Sequence, residues 1–168
     1  MNAESLLVRI AKVLAEHRLE AVMVGNAAAA LHGAPVTTLD VDFMFRKTPT
    51  NLKKLKAVAR SLRADILKPY YPVSDLFRVT NDDLGLQLDF MARLHGIRSF
   101  EGLRARAKAI EFGENKLWVA SLADIIKSKR AAGRSRDLAV LEILEKTLEA
   151  QTAVETKQGA KRRAQSGE

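Results

Sequence analysis

Between residues 39 and 45, apolar Leu39, Val41, Phe43 and Phe45 alternate with Asp40, Asp42 and Met44. A period of two marks a strand with one face on a core, and it puts both aspartates on the opposite face. Their Cα atoms then lie ~7 Å apart, so the two carboxylates can converge on one or two ions. Bare, such a pair repels itself; with Mg²⁺ it becomes a hard-oxygen site able to hold phosphates. Whatever else the chain forms, this strand must border a polar cleft on one side and a hydrophobic core on the other.

With 168 residues, 47% of them hydrophobic, the chain can bury one substantial core and does not require two. It has no cysteine, which excludes a disulfide framework and thiolate metal sites and is compatible with a reducing cytosol. The N-terminus lacks the basic and apolar regions of a secretory signal, and no apolar run approaches the ~20 residues of a membrane span, so a soluble, cytoplasmic protein is expected. The formal net charge is +8. Residues 149–168 contribute only +1 of it, leaving +7 on residues 1–148. A basic folded part favours polyanionic partners such as nucleotides or RNA.

Periodicity predicts an opening amphipathic helix carrying Leu6, Leu7, Ile10, Val13 and Leu14, capped by Ser5. A short buried strand over 21–24 breaks at Gly25-Asn26 and leads into an alanine-rich helix that Gly33 can end. After a loop over 34–38, which includes Thr38, comes the acidic strand. Thr48-Pro49 then opens a helix to about residue 63, and residues 65–74, with two prolines, read as irregular. Residues 76–80 and 84–91 read as a hairpin around Asn81-Asp82-Asp83, with Asp89 on its polar face. Ser99 caps a further helix, and residues 109–112 and 116–120 pair around Gly113-Glu114-Asn115. Ser121 and Asp124 form a capping-box-like start to a helix that stops before Gly133, and a last helix spans 136–148. From Gln151 the apolar pattern ends, so residues 149–168 are expected to form a basic, disordered tail.

Three features now stand in one order: a strand ending in Gly25-Asn26, a strand bearing Asp40 and Asp42, and a later strand bearing Asp89. In that order the chain resembles the nucleotidyltransferase superfamily that includes DNA polymerase β, over residues 19–91. The downstream run through Lys129, Gly133-Arg134 and Arg136-Asp137-Leu138 resembles more narrowly the bacterial AbiEii-like nucleotidyltransferase proteins of toxin–antitoxin and phage-defence pairs. The resemblance implies an α/β fold, a mixed β-sheet flanked by helices, as a single domain over 1–148 with C-terminal helices over 121–148. It implies that Asp40, Asp42 and Asp89 are catalytic and bind two divalent ions, Mg²⁺ or Mn²⁺, with an NTP as substrate. By the same likeness Gly25, Asn26, Thr38, Lys129 and Arg134 contact the nucleotide, and Asp137 supports Arg134. The superfamily usually has Gly or Ser where this chain has Asn26.

The implied reaction moves a nucleotidyl group from an NTP to a hydroxyl. Positive charge favours an RNA acceptor such as a tRNA end, with a protein or small molecule as alternatives and a cognate antitoxin as a partner. Two rivals stand beside it: a non-catalytic nucleotide- or RNA-binding regulator on the same fold, and a plain nucleic-acid-binding module that ignores Mg²⁺. Lys127 and Arg130 are assigned to a solvated face. His17, His32 and His95 are given surface or helix-end roles, Trp118 goes to the core, and Lys161-Arg162-Arg163 is read as a solubilising cluster.

Overall fold

The computed structural model describes residues 3–38, 40–68 and 75–167. Seven strands form one mixed sheet in the order β3-β4-β5-β2-β1-β7-β6. They are β1 (Ala21–Val24), β2 (Val41–Phe45), β3 (Asp65–Leu67), β4 (Leu76–Asn81), β5 (Leu86–Met91), β6 (Lys108–Phe112) and β7 (Asn115–Val119). The helices are α1 (Ala3–His17), α2 (Gly25–Leu31), α3 (Pro49–Ser61), α4 (Phe100–Arg106), α5 (Leu122–Ala132) and α6 (Ser135–Ser166). β2 lies at the middle, antiparallel to β1 and parallel to β5, while β1 runs parallel to β7.

The alternation in β2 decides the layering. Phe43 and Phe45 are buried; Phe43 stacks on Phe90 of β5 with ring centroids 5.0 Å apart, and Phe45 meets Phe77 and Phe90 edge-on. Aromatic pairs in these geometries add stabilisation beyond their buried area. α1 buries Ile10, Ala11, Val13 and Leu14 and packs against α3 and β7. The small side chains of α2, with Ala28 and Ala29 fully buried, let it lie close to β1, β2 and α5.

Local caps follow the residue types that favour them. Thr48 accepts the Asn51 amide, with Pro49 in the first turn of α3; Ser99 and Ser121 accept the Gly102 and Asp124 amides. Gly133 ends α5 in the left-handed conformation. Asn51 joins two chain segments: its Oδ1 accepts the Glu20 amide, and its Nδ2 donates to the carbonyls of Glu20 and Arg46 at 3.1 and 2.6 Å. It is 1% exposed. Asn51→Leu leaves the Glu20 amide without its partner, while the Glu20 and Arg46 carbonyls keep the Arg46 and Thr48 amides. A loss of about 1–3 kcal/mol in urea unfolding is expected; no measurable loss would show that water replaces the side chain there.

The structure departs from the sequence reading in several places. The helix α1 already begins at Ala3, so Ser5 lies inside it. Leu39 and residues 69–74 lie outside the described residues, and residues 65–67 of the stretch read as irregular form the edge strand β3. The β4–β5 connection is a 3-10 turn over Asp82–Leu84 closed by Gly85 in the left-handed region, with Asn81 accepting the Leu84 amide, rather than a loop over 81–83. The second hairpin turns on two residues, Gly113 and Glu114, with Phe112 paired to Asn115. Trp118 is half-buried instead of core, under the Arg104 guanidinium at 3.1 Å from its ring centre.

The largest difference is at the C-terminus. Instead of ending near Leu148 before a disordered tail, α6 continues to Ser166. Residues 149–166 are rich in Ala, Glu, Gln, Lys and Arg, which favour helix without needing an apolar face, and nearly all are exposed. The extension begins with a contact: the Gln151 amide meets His32 Nδ1 at 3.1 Å, while His32 Nε2 meets the Ala120 carbonyl at 2.7 Å.

Candidate active site

Sheet register brings the acidic positions together. Asp42 of β2 sits beside Val24 of β1 on one side and beside Asp89 of β5 on the other, and Asp89 in turn faces Arg78 of β4. Val24, Asp42, Asp89 and Arg78 thus form one row across four neighbouring strands. The row borders a cleft of about 540 Å³ that Asp40, Gly25, Asn26 and Thr38 also line. From α5 and the start of α6 come Lys129, Arg134, Arg136 and Asp137.

The chain reverses sharply at the end of β1, where Gly25 has φ +71°. A Cβ on Gly25 would stand 2.8 Å from Asp42 Oδ2. Glycine is therefore needed both for the backbone conformation and for the close approach of a carboxylate. Thr38 fixes the entry to β2: its hydroxyl donates to the Asp40 carbonyl at 2.9 Å and accepts the Asp40 amide at 3.2 Å. That hydroxyl, expected to meet the nucleotide, is engaged in orienting Asp40.

Burial, then the neighbouring charges of Asp89 and Asp40, push the Asp42 carboxyl up to about 6, against the opposing pull of Lys129 and Arg136. Such a shift records first the loss of water around the carboxyl and then the like charges beside it. Among the described residues no ion pair engages the carboxylates of Asp40 or Asp42.

Asp89 is different. The residue expected to join a metal ion as the third carboxylate is engaged by Arg78 at both oxygens, Nε to Oδ1 at 2.9 Å and Nη2 to Oδ2 at 3.2 Å. Among the described residues no three of His, Cys, Asp and Glu form a group ready to hold a metal ion. A divalent ion nevertheless fits the pair Asp40 and Asp42, on two grounds. Among the described residues neither is held in an ion pair, and the glycine turn admits the Asp42 oxygen to the cleft wall where a side chain would exclude it.

Opposite the acids, Lys129 is mostly buried, and that burial lowers its pKa despite the pull of Asp137 and Asp42. Arg134 Nε donates to Asp137 Oδ2 at 2.6 Å, the contact expected of that pair. Burial alone would raise the Asp137 carboxyl, but the hydrogen bond from Arg134 and the charges of Arg134 and Lys129 hold it below its usual range. Asn26 Oδ1 is buried and has no hydrogen-bond partner among the described residues. A buried acceptor without a donor is costly, and it lies at the wall of the cleft.

Lys127 is exposed, and Arg130 pairs with Glu145, away from the acids. His95 lines the cleft mouth, a place that residue type and spacing did not reveal. Arg78 is the principal residue that the sequence reading missed, and its signal was a single cation at a polar position of β4.

The mixed sheet, with the glycine turn after β1 and the acidic strand beside it, is a nucleotidyltransferase-like fold by its likeness to solved structures. No family model matches the chain, and no curated protein sequence matches it. Solved structures do. The antibiotic-resistance factor ANT(2'')-Ia, in complex with adenylyl-2''-tobramycin, superposes with a TM-score of 0.60 at 16% identity, over 96% of this chain and 97% of that one. Its solution structure gives 0.58 at 13% identity, over 98% and 97%. An antigenic nucleotidyltransferase-like protein from Paracoccidioides brasiliensis gives 0.57 at 13% identity, over 88% and 75%. At these identities the likeness is one of fold. Among the described residues no helix is long and apolar enough to cross a membrane.

Proposed function

We propose that this protein is a metal-dependent nucleotidyltransferase that moves a nucleotidyl group from an NTP to a hydroxyl acceptor, with RNA such as a tRNA end favoured. The observation that carries this reading is the uncompensated pair Asp40 and Asp42 on the wall of a cleft whose opposite wall is cationic. A divalent ion held by Asp40 and Asp42 would neutralise the pair and polarise phosphoryl oxygens. Lys129 faces the same space and supplies fixed positive charge toward a triphosphate, while Asp137 orients Arg134 at its edge. Asn26 offers a buried acceptor to a donor group on the substrate. In the reaction the acceptor oxygen bonds to the α-phosphorus as the bond to pyrophosphate breaks. The basic charge of residues 1–148 supports a polyanionic acceptor. The likeness of the Lys129-to-Leu138 run to AbiEii-like proteins supports a toxin–antitoxin or phage-defence setting with a cognate antitoxin.

Incubation with each α-labelled NTP, Mg²⁺ or Mn²⁺, and total RNA tests the reading. Label moves to an acceptor with the intact chain and falls by ~10³-fold or more in Asp40→Ala/Asp42→Ala; transfer surviving the double substitution refutes the roles of these acids. A second reading, a nucleotide-binding regulator without turnover, is favoured by one observation, the Arg78 clamp on Asp89. It predicts Mg²⁺-dependent thermal protection by ATP or CTP, lost in Asp42→Ala, with no label transferred.

A further inference from the structure

The pairing of Arg78 with Asp89 is not a loose surface contact. The two residues are register partners in the β4–β5 hairpin, so their backbones hold them face to face. The Asp89 side chain is only 9% exposed, and the guanidinium covers both of its oxygens. Arginine stays protonated under all ordinary conditions, and its planar fork matches a carboxylate at two points. Three carboxylates in and beside one row carry three negative charges. Arg78 compensates one of them, and the remaining two match a single divalent ion.

We propose that Arg78 stands in for one of two cations, so that the cleft takes one divalent ion, on Asp40 and Asp42, while Asp89 stays on the arginine. This rests on the reading of Asp40 and Asp42 as ion ligands given above. Arg78 is then a positioning residue: it keeps both oxygens of Asp89 engaged at the wall of the cleft that the two residues line. Both Asp89 oxygens already accept from a protonated guanidinium, which weakens them as ligands, and a second ion drawn to Asp89 would stand close to that fixed positive charge, which opposes it.

The test is titration of the chelator-treated full chain with Mn²⁺, without nucleotide, with free Mn²⁺ read by electron paramagnetic resonance. The expected result is one site, weakened at least ~100-fold in Asp42→Asn and changed no more than about threefold in Asp89→Asn. In Arg78→Met, which frees Asp89 at nearly constant volume, a second Mn²⁺ binds. Two sites in the intact chain, no site at all, a larger loss in Asp89→Asn, or a single site in a folded Arg78→Met would each overturn the proposal. If Arg78→Met does not fold, the intact chain and Asp89→Asn decide alone. Label transfer by a chain that binds two ions removes this proposal and leaves the transferase reading; one ion with no transfer does the reverse.

Discussion

In metal-free protein at pH 7.5, Asp42→Asn is expected to be more stable than the intact chain, although it loses the transfer proposed above. The cause is the carboxyl of Asp42, raised from 3.8 to about 6 by burial and by the charges of Asp89 and Asp40. A carboxyl that binds its proton more tightly in the folded than in the unfolded chain favours folding at low pH. That contribution is complete below about pH 4 and is lost as pH rises through 6. The amide never ionises, so the variant avoids the loss. The pKa difference sets a ceiling near 3 kcal/mol; with Asp42 partly reached by solvent, about 1–2 kcal/mol is expected, which is roughly 3–6 °C in Tm for a chain of this size. The advantage shrinks toward zero between pH 6 and 4. Unfolding curves of both proteins over pH 4–8 measure it, and a difference that does not change with pH would exclude ionisation of Asp42 as the cause. Saturating Mn²⁺ should reverse the order at pH 7.5, since only the intact pair gains from the ion.

Gly25→Ala separates stability from function at the same carboxylate. A φ of +71° costs a residue with a Cβ about 1–2 kcal/mol. The new Cβ also stands 2.8 Å from Asp42 Oδ2, but that atom ends a short, rotatable side chain. Asp42 can turn aside, so the steric conflict is relieved by moving the carboxylate out of its place. The expected result is a modest loss of stability, about 1–2 kcal/mol, with a fall in transfer of ~100-fold or more. In Gly25→Ala/Asp42→Ala the stability cost of the alanine at 25 remains that of the backbone alone. Transfer by Gly25→Ala within a few-fold of the intact chain would mean that Asp42 need not occupy this position.

Much of the candidate site is legible in the sequence. The alternation through Phe43 and Phe45 assigned Asp40 and Asp42 to one face, and strand geometry required nothing from elsewhere in the chain to do so. Gly25 at a strand end, Thr48-Pro49 and Ser121 were equally local signals, each resting on the conformational or hydrogen-bonding needs of one residue. The exposed extension of α6 was not legible. Absence of an apolar stripe reads as disorder, whereas the individual residues of 149–166 carry helix propensity of their own.

The state of Asp89 depended on a count of residues in a turn. A loop over 81–83 pairs Thr80 with Leu84 and sets Asp89 opposite residue 75 instead of Arg78. The observed turn, closed by Gly85 in the left-handed region, moves the register so that Asp89 meets Arg78. Sequence alone determined that this chain carries two acids beside a core strand and after a glycine turn, because period-two alternation and glycine's conformational freedom act within a few residues. Which acids remain uncompensated was decided only by the tertiary structure, since ion pairing depends on register between strands and on the approach of α5 and α6 from far along the chain.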